Sequence, residues 1–89
     1  EGDVENCVIH SGVKIGKGSV VKNSVIMKDS IIRSDCTIDK ALIDEEVVVE
    51  QGCKVGEGNN VTVIGYHSVA LENAVVEDGA MIYPDTILH

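Results

Sequence analysis

Phenylalanine and tryptophan are absent from this chain of 89 residues, and tyrosine occurs only at Tyr66 and Tyr83, although 44% of the residues are hydrophobic. A globular core of this size ordinarily uses some large rings. An interior rich in Val and Ile but without rings points to a space too narrow for them. Long apolar runs are lacking too. None approaches the ~18 residues that cross a membrane, and no secretory apolar region opens the chain. Nor is there a basic excess. The formal net charge of −8 argues against nucleic acid or an anionic membrane as a partner. The cysteines are few and odd in number, Cys7, Cys36 and Cys53, with no C-x-x-C pair. Neither a zinc cluster nor a secreted disulfide framework is expected, and a reducing cytoplasm is the expected compartment.

The residues that are present fall into a pattern. The length suits one domain, 1–89, with a modest core. Charge is divided along it: residues 14–40 carry six of the seven basic side chains against Asp29, Asp35 and Asp39, whereas residues 41–89 carry nine acids against Lys54 alone. The segment VKIGKGSVVKNS at 13–24 invites comparison with a phosphate-gripping loop, which needs G-x-x-x-x-G-K-[ST] followed by a helix. Here Gly12 and Gly16 are four apart, Gly18 stands where Ser or Thr should follow Lys17, and the β-branched VVKNSVIM comes next. The segment is better read as one unit of an internal repeat.

Aliphatic anchors recur at Ile9, Ile15, Val21, Met27, Ile32 and Ile38, and continue through Ile43, Val49, Val55, Ile64, Ala70, Val76, Ile82 and Leu88. Steps are mostly six residues, with five at 27–32 and 38–43 and nine at 55–64. Four residues after an anchor the side chain is aliphatic or small, except at Asn59. Three residues after it, ten of thirteen are Gly, Ser, Asn or Asp, which favour turns or tolerate the left-handed region. A corner every six residues leaves only very short strands, the signature of a parallel β-helix of hexapeptide units with about four to five triangular coils. Helical spacing is absent, and a β-sandwich would need longer alternating strands. If three units close one coil, every third anchor stacks about 4.8 Å from the next. The ladders then run Ile9-Met27-Ile43-Ile64-Ile82, Ile15-Ile32-Val49-Ala70-Leu88 and Val21-Ile38-Val55-Val76. Outward charges pair in the same register: Lys22 beside Asp39, Lys28 beside Asp44 and Lys40 beside Glu57. In this reading GKGS is a corner, with Ser19 inward and Lys17 in water. Cys36 and Cys53 fall one coil apart in one ladder, within reach of a disulfide, but are expected as two small buried thiols. The stretch GEGNN (56–60) holds the extra residues of a tolerant corner loop.

With the repeat placed, residues 4–52 resemble the C-terminal domain of glucose-1-phosphate adenylyltransferase (ADP-glucose pyrophosphorylase). The strongest pieces are VKIGKGSVVKNSVIM and ALIDEEV. Residues 54–89 follow the same scheme less distinctively. The resemblance implies a left-handed coil, since periodicity does not set the hand. It also implies that this is the tail of a larger nucleotidyltransferase whose catalytic domain, with its Gly-rich loop and metal-binding acids, is not in this sequence. That points to a fragment or a free-standing relative. The parent joins ATP and glucose 1-phosphate into ADP-glucose and pyrophosphate for glycogen or starch, with Mg²⁺ and ATP at the catalytic domain. This chain alone is not expected to be an enzyme, and carries no expected catalytic, cofactor or metal residue. Implied partners are its own N-terminal catalytic domain, further subunits of a homo- or hetero-tetramer, and a phosphorylated glycolytic effector.

Within the basic stretch, Lys17, Arg33 and Lys14 are the candidates for an effector's phosphate. Lys17 and Arg33 stand out because the register sets no acid beside them. The other reading is a solvated face with cross-coil pairs. Two further functional readings stay open: the tail of another sugar-1-phosphate nucleotidyltransferase, such as one making GDP-mannose or UDP-N-acetylglucosamine, and a hexapeptide acyltransferase. The latter would use His67 as a general base at a subunit boundary, but His67 sits in a turn column beside Tyr66 with no supporting motif, and is expected as a surface histidine. His10 and His89 are scattered, and no metal-ligand spacing links the three.

Overall fold

Corners dominate this fold. In the computed structural model, which describes residues 2–56 and 58–89, a residue with positive φ recurs at nearly every corner. Nine of these are not glycine: Asn6, Asn23, Asp29, Asp35, Lys40, Glu46, His67, Asn73 and Asp85, with φ between 52° and 65°. Asn and Asp tolerate this region because their short polar side chains bond locally. Between corners there is room only for strands of two or three residues. No helix occurs among the described residues.

The strands stack in parallel into three sheets of five. The first sheet holds Asp3–Glu5, Val20–Lys22, Thr37–Asp39, Lys54–Gly56 and Val75–Val76. The second holds Val8–Ile9, Val25–Ile26, Ala41–Ile43, Thr62–Ile64 and Met81–Ile82. The third holds Lys14–Ile15, Ile31–Ile32, Val48–Val49, Val69–Ala70 and Ile87–Leu88. Each coil takes one strand from each sheet, so the chain makes five triangular coils, the parallel β-helix that the repeat implies.

Two ladders run as the repeat sets them: Ile15-Ile32-Val49-Ala70-Leu88 and Val21-Ile38-Val55-Val76, to which Val4 adds a first rung. The remaining ladder needs a correction. Ile26, not Met27, pairs with both Ile9 and Ile43 and is fully buried, while Met27 lies half-buried on the outside. The five-residue step is at 21–26, and a count of six from Val21 lands on a second apolar residue. The shortening is regular. It falls where the first sheet turns into the second, at 4–9, 21–26 and 38–43. In such a corner the inward residue comes three after the anchor and the positive-φ residue two after it. Ser24, Ser30 and Ala41, placed above in the turn column, are therefore buried, and Asn23, Asp29 and Lys40 take the turns. The shift also sets Met27, not Lys28, level with Asp44. Lys22 does lie opposite Asp39, whose Oδ1 accepts from Asn23 Nδ2 at 3.1 Å. The expected Lys40–Glu57 pair involves a residue outside those described.

The interior is narrow, and isoleucine is the largest side chain fully buried in it. Small polar residues occupy inward corner places without leaving orphan groups. Ser19 Oγ donates to Arg33 O (2.6 Å) and accepts from Cys36 N–H (3.0 Å). Ser68 does the same with Tyr83 O and Thr86 N–H, and Thr62 with Glu77 O and Gly79 N–H. Each hydroxyl thus satisfies a corner amide and a corner carbonyl of the next coil, and no described buried side-chain N or O atom lacks a partner. Thr62, not Asn59, fills the inward place after Val55; Asn59 is exposed in the loop. That loop is tied down by Asp78, which accepts from Asn60 N–H (2.9 Å) and Asn60 Nδ2 (3.1 Å). Glycine is required at Gly56, where φ is 90° and a Cβ would fall on the carbonyl of Asp39.

Candidate functional site

The basic residues singled out from the sequence gather on the first two coils, around the corner where the third sheet turns into the first. This corner in the first coil is Gly16-Lys17-Gly18-Ser19, and Gly16 sits so close over the second coil that a Cβ would lie 2.6 Å from Arg33 C. Gly16 N–H donates to Ile32 O at 2.7 Å, and Asp35 N–H donates to Lys17 O at 3.1 Å. With Ser19 anchored inward, Lys17 is held out into solvent on a rigid corner. Lys14 projects from the neighbouring strand, opposite Ile31, and is also exposed.

Arg33 departs from expectation. Its Nε lies 3.5 Å from Glu50 Oε1 on the coil below, so an acid does stand beside it. Setting Ile32 on Val49 already places Arg33 beside Glu50. Both side chains remain partly exposed, so the pair contributes only about 0–1 kcal/mol, but it fixes the guanidinium toward the third coil. An acid stands at the Lys17 corner too, against expectation: the Asp35 carboxylate of the second coil sits over Gly18. What remains is two exposed lysines, a partly neutralised arginine and one carboxylate, a rim whose pull on an anion is weak.

A second cluster lies at the opposite end, where the second sheet turns into the third. His67 Nδ1 is 2.8 Å from Asp85 Oδ1 on the next coil, and the Tyr66 ring lies beside the imidazole at 5.5 Å. Asp85 was not singled out from the sequence, although both residues fall in the turn column and their anchors, Ile64 and Ile82, pair directly. Asp29 and Glu46 continue the same corner column. With Val48, Val69 and Ile87 of the third sheet they line a shallow groove. A carboxylate holding Nδ1 leaves Nε2 free to exchange a proton. Both residues are largely exposed, at 61% and 67% of their side chains, so the groove supplies little of the dry surrounding that strengthens acid–base chemistry.

Cys36 and Cys53 are free and fully buried. Their thiols donate to Glu50 O and Leu71 O, each at 3.0 Å. Burial pushes both thiols up from their ordinary value, so they act as small core residues and not as nucleophiles. Among the described residues no three His, Cys, Asp or Glu side chains converge as metal ligands, and no helix is long and apolar enough to cross a membrane.

Residues 1–68 match the family model described as GlmU-like, C-terminal hexapeptide. The chain is similar to the glucose-1-phosphate adenylyltransferase of Clostridium perfringens strain 13, with 43% identity over 91% of this chain and 21% of that protein. It is 35% identical to the same enzyme of Desulfitobacterium hafniense, over 96% of this chain and 23% of the relative. The corresponding enzyme of Fervidobacterium nodosum is also 35% identical, over 98% of this chain and 24% of the relative. The chain thus spans about a fifth to a quarter of the length of these relatives, at their C-terminal part. Among solved structures, the acetyltransferase domain of PglB from Neisseria gonorrhoeae FA1090 superposes with a TM-score of 0.81 at 15% identity, over 99% of this chain and 46% of that one. That likeness shows a shared fold alone.

Proposed function

Because this chain belongs to the GlmU-like C-terminal hexapeptide family, we propose that it is the assembly and regulatory tail of a glucose-1-phosphate adenylyltransferase. One observation carries this reading: the three relatives named above, at 35–43% identity over at least nine-tenths of the chain, are each that enzyme, and the match covers only their final part. In this reading the reaction of ATP with glucose 1-phosphate, giving ADP-glucose and pyrophosphate, belongs to a catalytic portion N-terminal to the coils. Mg²⁺ belongs there as well. The described residues of this chain offer no ligand cluster that fits it, so no step on this chain runs through the metal. The compartment is the cytoplasm.

The tail contributes a stiff prism that packs on the catalytic portion, helps to build a tetramer, and offers the Lys14–Lys17 corner to the phosphate of a glycolytic effector. Arg33 supports that corner from its pair with Glu50. The stacked backbone suits the role, because a corner whose amides and carbonyls are bonded to the next coil moves with the whole prism. In the full-length enzyme, Lys14→Ala with Lys17→Ala should reduce effector activation of ADP-glucose formation about tenfold and leave the rate without effector unchanged. Activation identical to the parent enzyme would remove the corner from the account.

A second reading has its own observation. The His67–Asp85 pair beside a groove is the arrangement an acyltransferase would use to deprotonate an acceptor, and the PglB domain shares the fold. Acetyl-coenzyme A binding by a trimer of this chain, lost in His67→Ala, would favour it over the adenylyltransferase reading.

A further inference from the structure

The groove on the third sheet has an apolar floor over coils three to five. Val48, Val69 and Ile87 stack outward in register, Leu71 follows two residues beyond Val69, and Ile87 is 59% exposed. The near wall is the corner column Glu46, His67 and Asp85. The far wall carries Glu50, which is paired with Arg33 of the second coil, and Glu72. With Glu45 on the lip, the walls of these three coils bring acids at five places and no lysine or arginine. Basic charge returns only past the groove's first end, at Lys14 and at Lys28, which Asp29 follows. The groove encloses about 570 Å³, within the range of sites that seat a ligand.

The tyrosines add a second feature. Tyr66 stands on the lip, 42% exposed, with its ring tilted beside the His67 imidazole at 5.5 Å. Tyr83 lies round the same corner on the fifth coil, opposite Gly65, and is 74% exposed. Nothing larger than isoleucine is fully buried in the interior, so a ring has no place inside the coils. Both tyrosines of the chain are instead set outside, at this one corner. An exposed ring beside carboxylates attracts a guanidinium or ammonium over its face, for about a two- to fivefold gain in affinity. Floor, walls and lip together suit a guest with an apolar body and a cationic end.

Dimensions select the form of that guest. Between the wall columns the floor is two strand residues, about 7 Å across. An α-helix with its side chains is about 10–12 Å wide and would ride on the walls. A β-strand repeats its facing side chains every ~6.6–6.8 Å, out of step with coils that rise about 4.8 Å. Polyproline II is slimmer and repeats every three residues, or ~9.3 Å, close to the ~9.6 Å of two coils. We propose that the groove binds a proline-rich segment of a partner protein in the polyproline II form. Residues i and i+3 of that segment rest on Val48 and Ile87, and an arginine lies at the Tyr66 lip between Glu46 and Asp85, a mode that aromatic-lined grooves support. The guest is not a second copy, because this chain has one proline, Pro84. The inference goes beyond the adenylyltransferase reading and needs neither a catalytic portion nor an effector.

Fluorescence anisotropy tests it, with a fluorescein-labelled Arg-Pro-Leu-Ala-Pro-Leu-Ala-Pro peptide titrated with the native polypeptide that carries this sequence. The expected result is saturable binding that weakens as salt rises. Val69→Lys and Ile87→Lys, at outward places that spare the core, should each raise the dissociation constant at least about tenfold. Tyr66→Ala should raise it about two- to fivefold. Glu46→Lys should weaken binding of this peptide and strengthen binding of the version with glutamate in place of arginine. A version with alanine in place of every proline loses the preformed extended shape and should bind at least about fivefold more weakly. Circular dichroism confirms that each variant is folded. Absence of saturable binding overturns the proposal. So does binding that ignores Val69→Lys and Ile87→Lys, which would place the peptide elsewhere, or equal binding of the alanine version, which would mean that the acids read charge alone.

Discussion

The first and second sheets share one backbone plan and one interior, yet their outer faces differ. The outward strand places of the first sheet and the places two residues further along carry Asp3, Glu5, Lys22, Asp39, Lys54 and Glu77; the equivalent places of the second carry Asp44 alone, its charges lying further round the corner at Lys28, Asp29, Glu45, Glu46 and Asp85. Inside, both are columns of Val and Ile with small residues at the corners. The prism constrains its interior tightly, because only aliphatic or small side chains fit, and leaves its exterior open. The first sheet presents a charged wall to solvent and the second a nearly uncharged one. Function on this fold is written on the outside.

The largest effects should separate inside from outside at one step of the chain. Ile26→Ala should lower unfolding stability by about 2–5 kcal/mol in urea titration, whereas Met27→Ala, one residue along and on the outer surface, should cost about 0.5–1 kcal/mol. Equal losses would return Met27 to the ladder. Next come the corner hydroxyls. Ser19→Ala removes the acceptor of the Cys36 amide and should cost about 1–3 kcal/mol. A silent Ser19→Ala would mean that the stacked corners bear little of the stability.

The buried thiols give a subtler contrast with the half-buried Cys7. Titration of the folded protein with a thiol reagent should modify Cys7 first, and Cys36 and Cys53 only on unfolding; a denatured, unreduced sample should show all three. Because Cys36 and Cys53 ionise less readily folded than unfolded, the unfolded chain loses their protons first. Stability should be full below the ordinary thiol value of 9.0 and fall as pH climbs through and above it. A stability rising across that window would contradict the burial of both thiols. Smallest of all, Thr37→Lys, at an outward place of the first sheet, should change stability in urea titration by no more than about 0.5 kcal/mol.

Most of this architecture is legible in the residues. Val, Ile and Gly at six-residue steps suffice for the coils, and two of the three ladders follow directly. The slip at Ile26 arises because a five-residue corner is invisible where two apolar residues stand side by side; only the regular placement of such corners between the first and second sheets reveals it. Thr62 is hidden for a similar reason, behind a loop whose length the period cannot anticipate. The Arg33–Glu50 pair follows from the Ile32–Val49 step of the third sheet's ladder, one residue further along. The His67–Asp85 pair required noticing that a turn column is also a stack. The effector corner rests on resemblance and exposure, since two lysines on a stiff corner carry no shape specific to one anion.

The intact mass of the native polypeptide that carries this sequence tests the central claim most directly. The account predicts a protein several times longer than these coils, with an adenylyltransferase portion N-terminal to them, that forms ADP-glucose and pyrophosphate from ATP and glucose 1-phosphate. A native polypeptide no longer than this chain would contradict it.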